Sequence, residues 1–158
     1  MKILVRLALL LALATLLSAC ASSGGRRVSE PAASLQQVTV DAAGNWSVQL
    51  RLQNYSSMPM RFESVDLALV LGGVAAGNLV ARPALDIGPE SADVLALQLV
   101  PAPAARLQVA DALASGRSIA YSLEGSVAAR PESGGSRQFR IRRDSELSPA
   151  PGLPGVLR

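Results

Sequence analysis

The sequence predicts an all-β fold, an antiparallel β-sandwich of about seven strands with one helix between the late strands. Three observations predict it: short apolar–polar alternations recur along the chain, Gly- and Pro-bearing turns separate them, and a single alanine-rich stretch has helical spacing. No self-similarity recurs at a fixed period, which argues against a solenoid or propeller.

The chain opens on a processing segment. Lys2 and Arg6 form a basic flank, and Leu7 to Leu17 an uncharged run that falls short of the roughly 20 apolar residues a bilayer span needs. Residues 1–19 are therefore expected to be a signal peptide. The sole cysteine, Cys20, follows Leu17-Ser18-Ala19, an order that resembles the bacterial lipobox. That resemblance implies cleavage before Cys20 and lipidation of its sulfur, for which a thiolate is the natural nucleophile. Each buried methylene adds about 0.8 kcal/mol, and stable anchoring takes more than one chain, which a diacylglycerol with an N-acyl group supplies. The plainer alternative, a general signal followed by a free thiol, leaves an exposed unpaired cysteine in an oxidising compartment. Ala21 is not the aspartate that resembles an inner-membrane retention signal, so the expected address is the periplasmic face of the outer membrane.

Charge excludes one class of partner. The chain has 15 basic and 12 acidic residues, but Lys2 and Arg6 would leave with the signal and bring the mature chain close to neutrality. The pI of about 9.7 is consequently no mark of nucleic-acid binding, and 3% aromatics leave little to stack on bases. The remaining length suits one domain.

The elements follow in order. Residues 20–34, small, polar and Gly/Pro-bearing, read as a flexible tether carrying the lipidated cysteine. Leu35 to Val40 is a short candidate strand, and Trp46 to Gln53 alternates without a fault over eight positions, with Trp46 as a core anchor. Val65, Leu67, Leu69 and Leu71 share one face, while Phe62 falls on the other parity and predicts a bulge near Ser64. Val74 to Val80 and Leu95 to Leu99 are further strands. Pro103 to Ser115 is the helix, with Pro in its first turn, Leu107, Ala110, Leu113 and Ala114 at helical spacing, and Gly116 as its stop. Ile119, Tyr121, Leu123, Gly125 and Val127 line one more strand, and Arg137 to Arg142 the last. The domain is thus expected over 35–145, and 146–158, with its prolines and glycines, as a disordered tail.

This order of elements resembles the water stress and hypersensitive response (WHy) domain of the type 2 late embryogenesis abundant (LEA) proteins. Two details carry the resemblance: Val74-Ala75-Ala76-Gly77 at the family's "v-a-x-G" step, and Leu123-Glu124-Gly125 at its "L-x-G" position. Asn54 is followed by Tyr55 where the family commonly has Asn-Pro, with Pro59 displaced downstream. The resemblance implies an immunoglobulin- or fibronectin III-like sandwich and a non-catalytic role in stress tolerance, here on a membrane-anchored lipoprotein. The alternative is an accessory or docking subunit of an envelope transport or assembly complex.

Residue types argue against an enzyme. There is no histidine, so the usual general base and the commonest metal ligand are missing, and the only thiol is taken by lipid. No cofactor is expected. Asp86, Glu90 and Asp93 could supply oxygen to calcium, but they lack EF-hand order and read more simply as a solvated turn. Glu63 and Glu124 are the conceivable acid pair for glycoside hydrolysis, with nothing local to support them. Tyr55 with Met58-Pro59-Met60 makes either an exposed apolar patch or a loop folded back onto the core. The candidate binding residues are Arg137, Arg140, Arg142 and Arg143, for anionic lipid or a protein partner. As a strand, this segment turns Phe139 and Ile141 inward and Arg140 and Arg142 outward; charges there also discourage edge-to-edge pairing.

Overall fold

A computed structural model describes residues 25–158. The expected signal peptide and Cys20 lie outside the described residues. In chain order the elements are β1 (Ala32–Val40), β2 (Trp46–Gln53), β3 (Met60–Leu71), β4 (Val74–Ala81), β5 (Leu85–Ile87), β6 (Ala92–Leu99), α1 (Pro103–Ser115), β7 (Ile119–Pro131), β8 (Arg137–Leu147) and β9 (Val156–Leu157). One sheet has the order β6-β2-β1-β9, the other β4-β3-β7-β8 with β5 also paired to β3, and every pairing is antiparallel. The fold is the all-β sandwich with one late helix that the alternation predicts. Seven strands are long, and the short β5 and β9 complete the count.

The alternating residues form the core between the sheets. Trp46, Val48, Leu50 and Leu52 of β2 face Val65, Leu67, Leu69 and Leu71 of β3, with Leu123 and Val127 of β7 beside them, all buried. The parity break at Phe62 is real: the β3–β7 register shifts between Phe62 and Ser64, so Met60 and Phe62 enter the core as well as Val65 and Leu67. A second shift, in β1 between Leu35 and Gln37, frees the Leu35 amide, which donates to the Tyr121 hydroxyl at 3.2 Å and links the two sheets.

Three expectations need correcting. First, the domain begins before residue 35. The Arg27 amide donates to Ser57 Oγ at 2.8 Å, the Ser29 amide to Ser56 Oγ at 3.0 Å, and Val28 packs on the core. Small polar residues read as a tether because their bonds are made to a loop distant in sequence.

Second, 146–158 is not a disordered tail. Leu147 still belongs to β8, and Val156 and Leu157 pair with Thr39 and Val38 at the edge of β1. Ser148 and Arg158 exchange backbone hydrogen bonds of 2.6 and 2.8 Å, closing a hairpin. Gly152 and Gly155, at φ 73° and 75°, take the left-handed turns that its return requires. The glycines that suggested disorder are turn residues, and the buried Leu157 gives the hairpin its hold.

Third, α1 buries a different face. Ala105, Val109 and Ala112 pack inward, whereas Leu107, Ala110 and Ala114 are exposed and Leu113 is half-buried. Its outer Leu107, Ala110 and Ala114 are as apolar as its inner Ala105, Val109 and Ala112, so spacing alone does not choose a face; small side chains let its backbone approach β3 and β4 closely. Its ends are as read: Pro103 occupies the first turn, and Gly116 in the left-handed region closes a Schellman pattern, with the Gly116 amide on Leu113 O at 3.4 Å and the Arg117 amide on Ala112 O at 3.0 Å.

Candidate functional site

The candidate arginines lie on β8, an edge strand, and the pleat divides them. Arg140 and Arg142 stand on the outer face, opposite Ser126 and Glu124 of β7. There Glu124, Gly125, Ser126, Gln138 and Arg140 line a shallow depression, floored where Gly125 brings no side chain and where Gln138 Nε2 donates to Ser126 Oγ at 2.9 Å. Arg137 and Arg143 share the parity of the inward-facing Phe139 and Ile141. Arg137 sits by the β7–β8 turn, opposite Ala129. Arg143 leaves the sandwich at the β1 edge and lines a separate cleft of about 90 Å³ with Ala32, Ala33, Ser34, Arg51, Gln53 and Tyr55. The four arginines therefore do not make one surface. None of them belongs to the ion pairs found among the described residues.

The acidic candidates are placed otherwise. Asp86 pairs with Arg61 at 2.7 Å, and Asp93 accepts from the Val94 amide at 2.7 Å. Among the described residues no group of three His, Cys, Asp or Glu side chains is arranged to hold a metal ion. Glu63 pairs with Arg130 at 2.6 Å. The Ser136 hydroxyl, then the Arg130 charge, hold its carboxyl below the ordinary glutamate range. Glu124 lies opposite Ala68, several residues further along β3, roughly 15 Å away at ~3.3 Å per residue. That exceeds the about 5–9.5 Å separating glycosidase carboxylates. Met58 and Met60 are folded back into the core, and Tyr55 and Pro59 of that group are exposed.

Two features were only half legible. Asn54 is buried and fully used: Nδ2 donates to Met58 O (2.9 Å), Ile87 O (3.2 Å) and Gly88 O (2.9 Å), and Oδ1 accepts from the Ser56 amide (2.8 Å). Its place at a strand end was readable, its four partners were not. Arg51 was visible as an outward residue of an alternating strand, but nothing in the sequence joins it to Arg143, which only the closing of β1 against β8 brings near.

The structure also gives physical content to the two glycine steps. A Cβ on Gly125 would sit 2.2 Å from the Asp66 carbonyl oxygen, so β3 and β7 pair here only around glycine. In β4 the register with β3 shifts at Ala76, whose carbonyl accepts the Ala102 amide at 2.9 Å and so seats the start of α1. A Cβ on the adjacent Gly77 would press on Leu99 at 3.0 Å.

Compared by sequence, no family model and no curated protein matches the chain. Among solved structures, a protein of Arabidopsis thaliana determined in solution has a TM-score of 0.54 at 14% identity, covering 83% of this chain and 90% of that one. It shares the fold. A protein from Archaeoglobus fulgidus has a TM-score of 0.45 at 14% identity, covering 78% of this chain and 98% of its own. A protein described as late embryogenesis abundant has a TM-score of 0.47 at 14% identity, with coverage of 98% and 87%.

Proposed function

We propose that the protein is a membrane-anchored periplasmic lipoprotein whose single sandwich is a non-catalytic, LEA type 2-like stress-protective or interaction module, fastened through Cys20 to the outer membrane. The observation that carries the family part is Gly125: the position matching the family's "L-x-G" is one where a side chain would collide with the neighbouring backbone. The anchoring part is supported by the order Leu17-Ser18-Ala19-Cys20 behind an apolar run. From Cys20 to Arg27 an extended chain reaches at most about 24 Å, so lipidation would hold the N-terminal end of the sandwich close to headgroups.

The deciding experiment is intact-mass spectrometry of the protein isolated from membranes, beside a Cys20→Ala variant. The expected result is a chain starting at residue 20 with lipid mass, and a variant released from membranes. An unmodified Cys20, or equal membrane association of both forms, overturns the anchor.

A second reading, an accessory subunit of an envelope complex, is favoured by the far end of the sandwich. Val100 (74% exposed), Leu107 (71%) and Leu153 (45%) show apolar surface there, beside a cleft between α1 and the C-terminal hairpin lined by Leu113, Pro149 and Pro154. Crosslinking from position 107 in intact cells to one envelope protein would favour this reading; survival loss on drying with no crosslinked product would favour the first.

A further inference from the structure

We infer that the cleft between the β1 edge and β8 is a binding site for a phosphate group, held by Arg51 and Arg143. Two guanidinium groups line one small space, and no carboxylate is among its lining residues. Four arginines sit against acids, in Arg26–Glu132, Arg61–Asp86, Arg117–Asp111 and Arg130–Glu63; Arg51 and Arg143 are in no such pair among the described residues. Of the carboxylates near them in sequence register none lines the cleft: Glu30, two residues before Ala32, is exposed. Asp93, opposite Leu52, accepts from the Val94 amide, and Asp144 follows Arg143 onto the other face of β8.

The chemistry of the lining suits a phosphate. Each guanidinium offers a planar fork of donors that matches two phosphate oxygens, and among the described residues neither fork is spent on a carboxylate. Ser34, Gln53 and Tyr55, residues with polar side chains, line the same space. Arg27 donates to the Tyr55 carbonyl at 3.5 Å and adds positive charge behind it. Two like charges sharing a cleft repel each other, and a doubly charged anion between them turns that repulsion into attraction. At about 90 Å³ the space is of the size of a single phosphate group.

Rigid elements hold the pair. Arg51 projects from β2, paired on both sides by β1 and β6, and Arg143 from β8, paired to Leu123 of β7. The cleft adjoins the end of the sandwich at which Arg27 bonds to the Ser57 loop. The same phosphate chemistry comes from a phospholipid headgroup or a soluble phosphate ester, and the site itself does not depend on lipid at Cys20.

The test is titration of the purified protein with inorganic phosphate and glycerol 3-phosphate, and co-sedimentation of the Cys20→Ala protein with phosphatidylcholine vesicles containing phosphatidylglycerol. Arg51→Gln and Arg143→Gln should each weaken binding about tenfold, and Arg142→Gln, on the opposite face of β8, should leave it unchanged. All three substitutions are at exposed positions, and unchanged thermal melting confirms that the variants fold. Saturable binding of the soluble ligands with that pattern identifies a soluble ester; the pattern on vesicles alone identifies a headgroup. No binding in either arm, or equal loss in Arg142→Gln, overturns the inference. Because phosphate binding is read without the anchor, its failure is distinct from failure of lipidation at Cys20.

Discussion

The two ends of the sandwich are built on different principles. At the N-terminal end, where residues 25–29 join the domain, one buried amide organises the loops: Asn54 bonds to the Met58, Ile87 and Gly88 carbonyls and to the Ser56 amide, and Ser56 and Ser57 take the amides of Ser29 and Arg27. At the other end, about 25 Å away along β2 at ~3.3 Å per residue, closure is by packing. There Ala105, Val109 and Ala112 of α1 rest on the sheets, and Leu157 tucks into the core. Hydrogen bonds fix a single loop geometry at the first end, where Tyr55 is the large side chain left exposed. Small-residue packing closes the other end while leaving Leu107 and Leu153 facing water.

The largest expected effect breaks the first end. Asn54→Ala strands three carbonyls and one amide at a site closed to water, so thermal or denaturant unfolding should show a loss of about 3 kcal/mol or more. If the loss is under 1 kcal/mol, the loops are held by something other than this side chain. At the opposite end Leu157→Ala removes a buried side chain from a two-residue strand and should cost about 2–4 kcal/mol by the same measurement. A neutral result would show that the terminal hairpin is not part of the folded unit.

How much of this was legible follows from range. Alternation in β2, β3, β6 and β7 fixed which residues are inside, because burial of one sheet face imposes a period of two. The Phe62 parity break located a bulge, and Pro103 with Gly116 located both helix ends. What stayed hidden depends on partners far along the chain. The buried face of α1 is chosen by the shape of β3 and β4, the C-terminal turns count as structure only because β1 offers an open edge, and Arg51 meets Arg143 only when the sheets close. The candidate site was legible as a run of arginines on one strand, and illegible in the way the pleat divides that run.

A middle-sized effect sharpens the contrast at α1. Ala105→Leu forces extra volume into a contact made for a methyl group, and should cost about 1–3 kcal/mol. Leu107→Ser, two residues on and facing solvent, should change stability by less than about 0.5 kcal/mol while lowering any self-association seen by light scattering. If the two substitutions are equally destabilising, the helix packs through the Leu107 face after all.

The smallest effect compares one carboxyl at each end. Asp41, in the turn next to α1, is held below its ordinary value of 3.8 first by the Asn45 amide, which donates to it at 2.8 Å. Glu63, at the N-terminal end, is held below its ordinary 4.5 first by the Ser136 hydroxyl and then by Arg130. Both shifts are depressions. Each therefore contributes stability present above the unfolded-state value and lost as pH falls through the folded-state value. Stability should thus decline below about pH 4.5, with Glu63→Gln removing the earlier part of the decline and Asp41→Asn the later. Salt separates the causes: in carbon-detected NMR titrations, raising ionic strength should move the Glu63 midpoint upward by screening Arg130 and leave Asp41, set by short hydrogen bonds, nearly where it was. Equal movement of both would mean that the turn at Asp41 is governed by net charge and not by its local amide.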